Sequence, residues 1–510
     1  MRNGISIFVV TVVLALTTPG PSLAKTFQVG GKPLRVMGLI NQGVGWGVAG
    51  DHYDTKEGFQ SAIFDVILET EYTLSPELRF FGVGMLTGDW AYPILSDNDE
   101  WTEKEFDKSR SELYLDTDFN DLLQEFHLTW TPGNSIIRIG KQIVVWGETD
   151  GFRVMDQINP IDQRRGLSDV EFESTILPIW LVRAEQYWQP DSTWLQDLGL
   201  ELIFNPNAHF EPDRPIILGN DEAGIWAPNV KIGPVPVAFD PVTGAPVAFL
   251  PGRLGSFLRD VEERDEWDSD GMEVGVRLRM VINDSVVTLN YFNGVDNSPA
   301  LKAAPSAPQA EVASDGSLIV HLPVEGFYPR LRFAGLTLTR DFPGLNVPFL
   351  GGVAPVLRME GFYAFDSTFT TADMSEFVEH DDFRYMVGFD WKVKIPLLNE
   401  RAYFLISPQF YHRKIIDYPS VGLNGLEDDN YQTSIMINTT YFHNKVIPSV
   451  FWLRDITNDS NFFKYAVDYE YSDNWKFTLG ALFFDGDDEG KGFEPLDHKD
   501  QVFGTVSYKF

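Results

Sequence analysis

The chain ends on Gln501-Val502-Phe503-Gly504-Thr505-Val506-Ser507-Tyr508-Lys509-Phe510. Val502, Gly504, Val506, Tyr508 and Phe510 alternate with Gln501, Phe503, Thr505, Ser507 and Lys509, so an extended segment here has one mostly apolar face and one mostly polar face. A strand with lipid on one side and a wet lumen on the other needs this period of two. An edge strand of a soluble sandwich also shows it. The readings part on whether the pattern recurs over long segments and whether the chain is exported.

The pattern recurs. Phe383, Tyr385, Val387, Phe389, Trp391, Val393 and Ile395 oppose Asp382, Arg384, Asp390, Lys392 and Lys394. Phe463, Tyr465, Val467, Tyr469 and Tyr471 oppose Lys464, Asp468 and Glu470, and Val274, Val276, Leu278, Met280 and Ile282 oppose Glu273, Arg277 and Arg279. These runs exceed the roughly five or six residues of an ordinary soluble strand. From a first strand at 34–49, short turns fall at Ser75-Pro76, Pro132-Gly133-Asn134, 190–196, Asn283-Asp284, 342–352, 396–400, His443-Asn444 and Ser472-Asp473-Asn474. Nine longer segments lie between them, the longest at 149–177, 207–270 and 297–326, the last two rich in Pro, Gly and Ala and poor in periodicity. Alternating short turns and long outer loops mark a transmembrane antiparallel β-barrel, all-β, with about eighteen strands. Residues 109–131 read as one long bulged strand, although 121–126 also suits a helix, and a slip there gives sixteen.

The other end of the chain carries the export pattern. Arg2 precedes an apolar core from Ile5 to Leu16, and Ser22-Leu23-Ala24 stands before Lys25 as a small-x-small cleavage site. Residues 1–24 are therefore expected to be a cleaved signal peptide and 25–510 a single barrel domain. No other run approaches the roughly 18–20 apolar residues of a membrane helix. With no cysteine, the chain has no lipoprotein anchor, disulfide or thiolate chemistry. A net charge of −34 argues against nucleic acid, whose phosphates it would repel. With 14% aromatic residues but only 44% apolar ones, the composition matches strands that are greasy on one face alone. The expected location is the Gram-negative outer membrane, with its lipid and the barrel assembly machinery as partners. Phe510 is the expected assembly signal.

The most distinctive stretch runs from Arg138 as R-I-G-K-Q-I-V-V-W-G-E-T-D-G-F-R-V-M-D-Q-I-N-P-I-D-Q-R-R to Arg165, followed by L-P-I-W at Leu177 to Trp180. It resembles the domain-of-unknown-function 1302 family of Gram-negative outer-membrane proteins, whose members share R-x-G-[KR]-Q, W-G-E-x-D-G, N-P-x-D-x-R and P-x-W. The resemblance implies a porin-like barrel, associated with a periplasmic lipid carrier and an inner-membrane pump for hydrophobic molecules, and supplies no catalytic residues. The residues themselves suggest a strand at 136–146 that then loses alternation. Gly147, Gly151 and Asn159-Pro160 turn the chain, and charges of both signs are interspersed. Such a loop suits folding into the lumen, where it sets the pore's field or latches to the wall. The constriction candidates are Arg138, Gln142, Trp146, Glu148, Asp150, Arg153, Asp156, Asp162, Arg164 and Arg165.

Other constellations carry less. The acidic run Glu262 to Asp270 offers calcium-type oxygens but breaks the EF-hand order, with Arg277 where the bidentate acid is expected. Eight histidines show no zinc spacing, and no nucleophile elbow or P-loop is present. His412 and His443 suit lumen or interface positions, and Trp46, Trp90, Trp130, Trp391 and Trp475 suit interfacial belts or an apolar entry. Neither metal nor cofactor is expected. A barrel of this width defaults to a conduit, here a porin-like channel for a small molecule. The alternatives are an outer-membrane enzyme of lipase or protease type and a structural barrel that conducts nothing.

Overall fold

The computed structural model describes residues 25–48, 58–94, 113–166, 175–214, 230–241, 243–262, 264–312, 316–488 and 490–510. The expected signal peptide lies outside them.

Eighteen antiparallel strands close into one barrel. In chain order they are β1 (Lys32–Gly47), β2 (Gly58–Ser61 continued by Ile63–Thr73), β3 (Leu78–Asp89), β4 (Leu123–Trp130), β5 (Ser135–Gln142), β6 (Ile179–Trp188), β7 (Leu195–Asn205), β8 (Glu273–Ile282) and β9 (Ser285–Val295). The second half comprises β10 (Arg330–Asp341), β11 (Val356–Thr370), β12 (Phe377–Val393), β13 (Phe404–Ile415), β14 (Asp429–Asn438), β15 (Val446–Asp455), β16 (Ser460–Glu470), β17 (Trp475–Gly486) and β18 (Gln501–Lys509). Every short turn anticipated from the sequence joins two of these strands. Among the described residues no helix is long and apolar enough to cross a membrane.

The ring closes where β18 pairs with β1 in nine-residue register, Gln501 opposite Gly47 through Lys509 opposite Leu39. Alternation sorts the faces as the terminal decapeptide implies: Gln501, Phe503 and Ser507 are buried towards the lumen, while Val502 and Val506 are exposed on the outside. Phe510 extends the seam by exchanging backbone hydrogen bonds with Gly38, at 2.9 Å and 3.0 Å. Its ring lies directly over Gly38, where any Cβ would collide with it. Tyr508 stacks beside Phe510 at 6.0 Å and Trp475 beside Tyr508 at 4.7 Å, the start of an aromatic belt at the turn end of the barrel. Arg340 over Phe342 and Lys394 over Tyr403 extend that belt with cations whose stems reach along aromatic rings. Of the histidines, His412 sits on the outer face, stacked on Tyr431 and bonded to Asp429 at 2.7 Å.

Four expectations need correction. The first strand spans Lys32–Gly47 and is preceded by an unanticipated strand, Lys25–Val29, which folds back on it through Gly30-Gly31. The single strand expected at 109–131 is only Leu123–Trp130. A helical turn at Phe119–Leu122 precedes it, capped by the Asp118 carboxylate on Asn120 N, and 109–112 lie outside the described residues. The strand expected at 136–146 ends at Gln142, because its neighbour β6 begins only at Ile179 and offers no further partners. Finally, 207–270 and 297–326 are not devoid of strands: Val230–Phe239, Pro246–Glu262, Ala300–Ala303, Gln309–Val312 and Leu318–Phe327 form a second, five-stranded sheet. Prolines such as Pro234, Pro236 and Pro251 blur its alternation, and its central pairing is parallel between distant segments, which no local pattern reveals.

Seating the Phe510 ring on Gly38 buries an aromatic side chain worth about 2 kcal/mol. Deleting Phe510, or replacing Gly38 by Leu, should therefore each lower the fraction of barrel that migrates fast on electrophoresis without heating. An undiminished fast-migrating fraction in both variants would show that the ring contact does not guide closure.

Candidate functional site

Residues 143–166 and 175–178, the described part of the outer loop between β5 and β6 (L3), depart from the wall because their own side chains replace the missing neighbour strand. Asn159 Oδ1 accepts from Val144 N at 2.7 Å, and its Nδ2 donates to the Leu177 carbonyl at 2.8 Å. Asp156 Oδ1 accepts from Trp146 N at 2.7 Å and from Gly147 N at 2.8 Å. Asn-Pro at 159–160 and Asp156 thus do what β6 would have done four residues further along.

From this fold L3 crosses the lumen. Trp146 is buried, its indole N–H donating to Glu201 of β7 at 2.9 Å. Met155 packs against Gly335 of β10, where a side chain would occupy the same space. Glu360 of β11 faces inward and accepts from Glu148 N and, at 3.0 Å, from Met155 N. On β13, Gln409 accepts from Asp150 N at 3.1 Å and the Tyr411 hydroxyl from Gly151 N at 3.2 Å. Arg358 of β11 donates to the Glu148 carbonyl at 2.6 Å and pairs with Asp150 and with Asp390. L3 therefore leaves β5 and reaches β13, eight strands further round a ring of eighteen. Its apolar side, including Val144, Val154 and Ile158, joins Ile203, Phe292, Phe333, Phe362 and Met386 of the wall in one buried cluster. A second cluster joins Ala91, Tyr92 and Leu113 of the preceding outer loop (L2, 90–122) to Leu453, Phe462, Phe484 and Phe503 on β15–β18.

The ten constriction candidates fall into two groups. Along the crossing, Arg138 pairs with Glu185 at 3.2 Å, and Gln142 is buried at the end of β5, donating to the Leu181 carbonyl at 3.2 Å. Trp146, Asp150 and Asp156 make the contacts above, and Arg153 donates to the Asn159 carbonyl at 2.6 Å. The Glu148 carboxyl lies in the field of Arg358 and Arg277, but burial prevails and holds its pKa above the usual range. Asp162, Arg164 and Arg165 instead belong to a knot with L2 and the loop after β7 (L4, 206–272). Arg164 pairs with Asp162 at 2.6 Å and Asp116 at 3.7 Å, and Arg165 donates to the Leu113 carbonyl at 3.4 Å. Arg214 of L4 pairs with Asp121 at 2.7 Å and Glu211 at 2.6 Å. The wall residues Glu201, Arg358, Glu360, Gln409 and Tyr411 escaped the sequence reading. Their one signal was an acid or polar group at lumen-facing positions of otherwise apolar strands, which does not say what meets it.

Within the knot, burial raises the Asp162 carboxyl, but the Arg164 contact outweighs it and brings the pKa down to about 2. Burial and the neighbouring Asp121 carboxylate push Asp116 up to about 6. Between an unfolded value of roughly 3.9 and about 6, the folded knot binds the proton that the released chain would not, so its stability rises as pH falls through that window. Asp162 contributes in the opposite sense, losing its stabilisation only as pH drops towards about 2. Hydrogen exchange of the knot amides, corrected for intrinsic rate, should accordingly slow from pH 7.5 to 5.5. Asp116→Asn should abolish that dependence, and an unchanged profile in the variant would assign it to another group.

The two backbone bonds to Asp156 are charge-assisted, so Asp156→Ala should loosen L3 locally by about 2 kcal/mol. The Trp146 and Gly147 amides should then exchange at least about tenfold faster while the barrel keeps its unheated mobility. Wild-type exchange there would mean that another anchor holds the loop.

Among solved structures, the chain is similar to the Salmonella typhi OmpF complex with daunomycin, at 10% identity and a TM-score of 0.39 over 95% of this chain and 100% of that one. It is also similar to Acinetobacter baumannii OccAB1, at 9% identity and 0.44 over 94% and 96%, and to Pseudomonas aeruginosa OccK2 (OpdF) in complex with glucuronate, at 10% and 0.45 over 94% and 98%. No curated protein matches the chain. The model of the protein-of-unknown-function family DUF1302 matches residues 48–510, and the chain belongs to that family of outer-membrane-type barrels.

Proposed function

We propose that this barrel is an outer-membrane channel for a small molecule, with L3 as its constriction. The observation that carries the reading is the crossing of the lumen by L3, tied to the far wall through Glu360, Gln409 and Tyr411. A loop held at both walls narrows whatever path the barrel encloses, and charges at that level act in a field that low-dielectric walls focus. In this reading the chain reaches the outer membrane after cleavage of residues 1–24, performs no catalysis, and exchanges its solute with a periplasmic carrier and a pump beyond it. The carrier and pump rest on the family resemblance alone.

A second reading is favoured by the two apolar clusters that fix L2 and L3 inside the barrel. It is a barrel that rests closed and conducts only when L3 is displaced. Planar-bilayer recording separates the two. Under the channel reading the wild-type protein conducts, and Asp156→Ala raises the conductance by loosening the constriction. Conductance in the variant alone would favour the gated barrel, whereas silence from both in correctly inserted barrels would remove transport from the reading.

A further inference from the structure

We propose that Arg277 and Arg279 on β8 form the anion-binding subsite of the lumen, and that the solute is an organic carboxylate. The inference deepens the channel reading and names its substrate class.

The two arginines stand two residues apart and opposite Glu201 and Gly199 of β7, so both side chains belong to the lumen face of β8. Neighbouring lumen arginines are occupied: Arg138 by Glu185, Arg183 by Glu201 at 2.9 Å, and Arg358 by Asp150 and Asp390. Arg277 instead gives one N–H to the Val145 carbonyl of L3 at 3.1 Å. Among the described residues, neither it nor Arg279 forms an ion pair. In a chain of net charge −34, two neighbouring lumen guanidinium groups that form no direct ion pair are a local reversal of sign. Arginine forks suit a carboxylate, taking it in two parallel N–H···O bonds.

On the wall away from β8 the lumen arginines are again occupied. By register, Asp65, Ile67, Glu69 and Glu71 of β2 turn inward there, and Arg35 and Arg79 each pair with Glu71 at 3.5 Å. An incoming anion therefore finds acids on that side and the unpaired guanidinium groups on β8. Glu201, opposite on β7, and Glu148 of L3 are the resident carboxylates whose fields reach Arg277, so both compete with an incoming anion.

Hexanoate, acetate and hexylammonium are suitable probes, titrated against the full mature protein folded in detergent, with the unfolding midpoint as readout. Hexanoate and acetate should each raise the midpoint, and hexylammonium should not. Arg277→Gln with Arg279→Gln should raise the hexanoate Kd about tenfold or more, the Lys pair, which keeps the charge and loses the fork, should bind between the wild type and the Gln pair, and Glu148→Gln should tighten it. Unheated mobility verifies that each variant is folded. Equal responses to hexanoate and hexylammonium, or an unchanged Kd in the Gln pair, would overturn the subsite. Because binding needs no conduction, conductance without carboxylate binding would sink this inference and spare the channel, while binding in a barrel that never conducts would do the reverse.

Discussion

The hydrogen-bonding requirement of backbone in hydrocarbon governs this molecule. A strand edge left open in lipid would expose N–H and C=O groups at several kcal/mol each, so the sheet must return on itself. The β18–β1 seam is where that condition is met, and its register is continued by one last residue, Phe510, bonded to Gly38 on both sides. Closure then fixes which face of every strand is inside, because one residue of slippage anywhere would turn acids such as Asp382 and Glu360 towards lipid.

Once the ring is closed, its interior has to be filled or wetted, and L3 and L2 do much of the filling. L3 is held chiefly by carboxylates: Asp156 within the loop and Glu360 on the wall each take two backbone N–H groups. Each bond is individually modest, but both acids are placed where an unpaired N–H would otherwise be stranded in a poorly hydrated space. Latch and constriction are therefore compatible roles for one segment, since the same residues that anchor it also determine which charges are left over. Most of the L3 charges are used in anchoring: Asp150 in its pair with Arg358, Asp162 and Arg164 in the loop knot. Arg277 and Arg279, which form no ion pair among the described residues, lie instead on the wall, on β8.

This distribution shows how far the site was legible beforehand. The W-G-E-x-D-G and N-P-x-D-x-R run correctly marked the segment that leaves the wall, and its glycines and Asn-Pro marked where it turns. Yet the sequence offered Arg164 and Arg165 on the same footing as Glu148 and Asp150, although the first pair is tied to L2 and the second to β11 and β13. Contacts between residues more than two hundred positions apart, such as Glu148 with Glu360, leave no trace in local spacing.

What the sequence by itself determined was the class of object: strand periodicity, strand number, the alternation of short turns and long loops, and the terminal aromatic all follow from local rules of side-chain direction and turn chemistry. What only the tertiary structure decided was how the long loops are used. The proline-rich segments 207–270 and 297–326 build a second sheet through a parallel pairing, and L3 crosses to β13 rather than lying on the rim. Both depend on which strands stand opposite one another after closure, and that geometry exists only when the eighteenth strand has met the first.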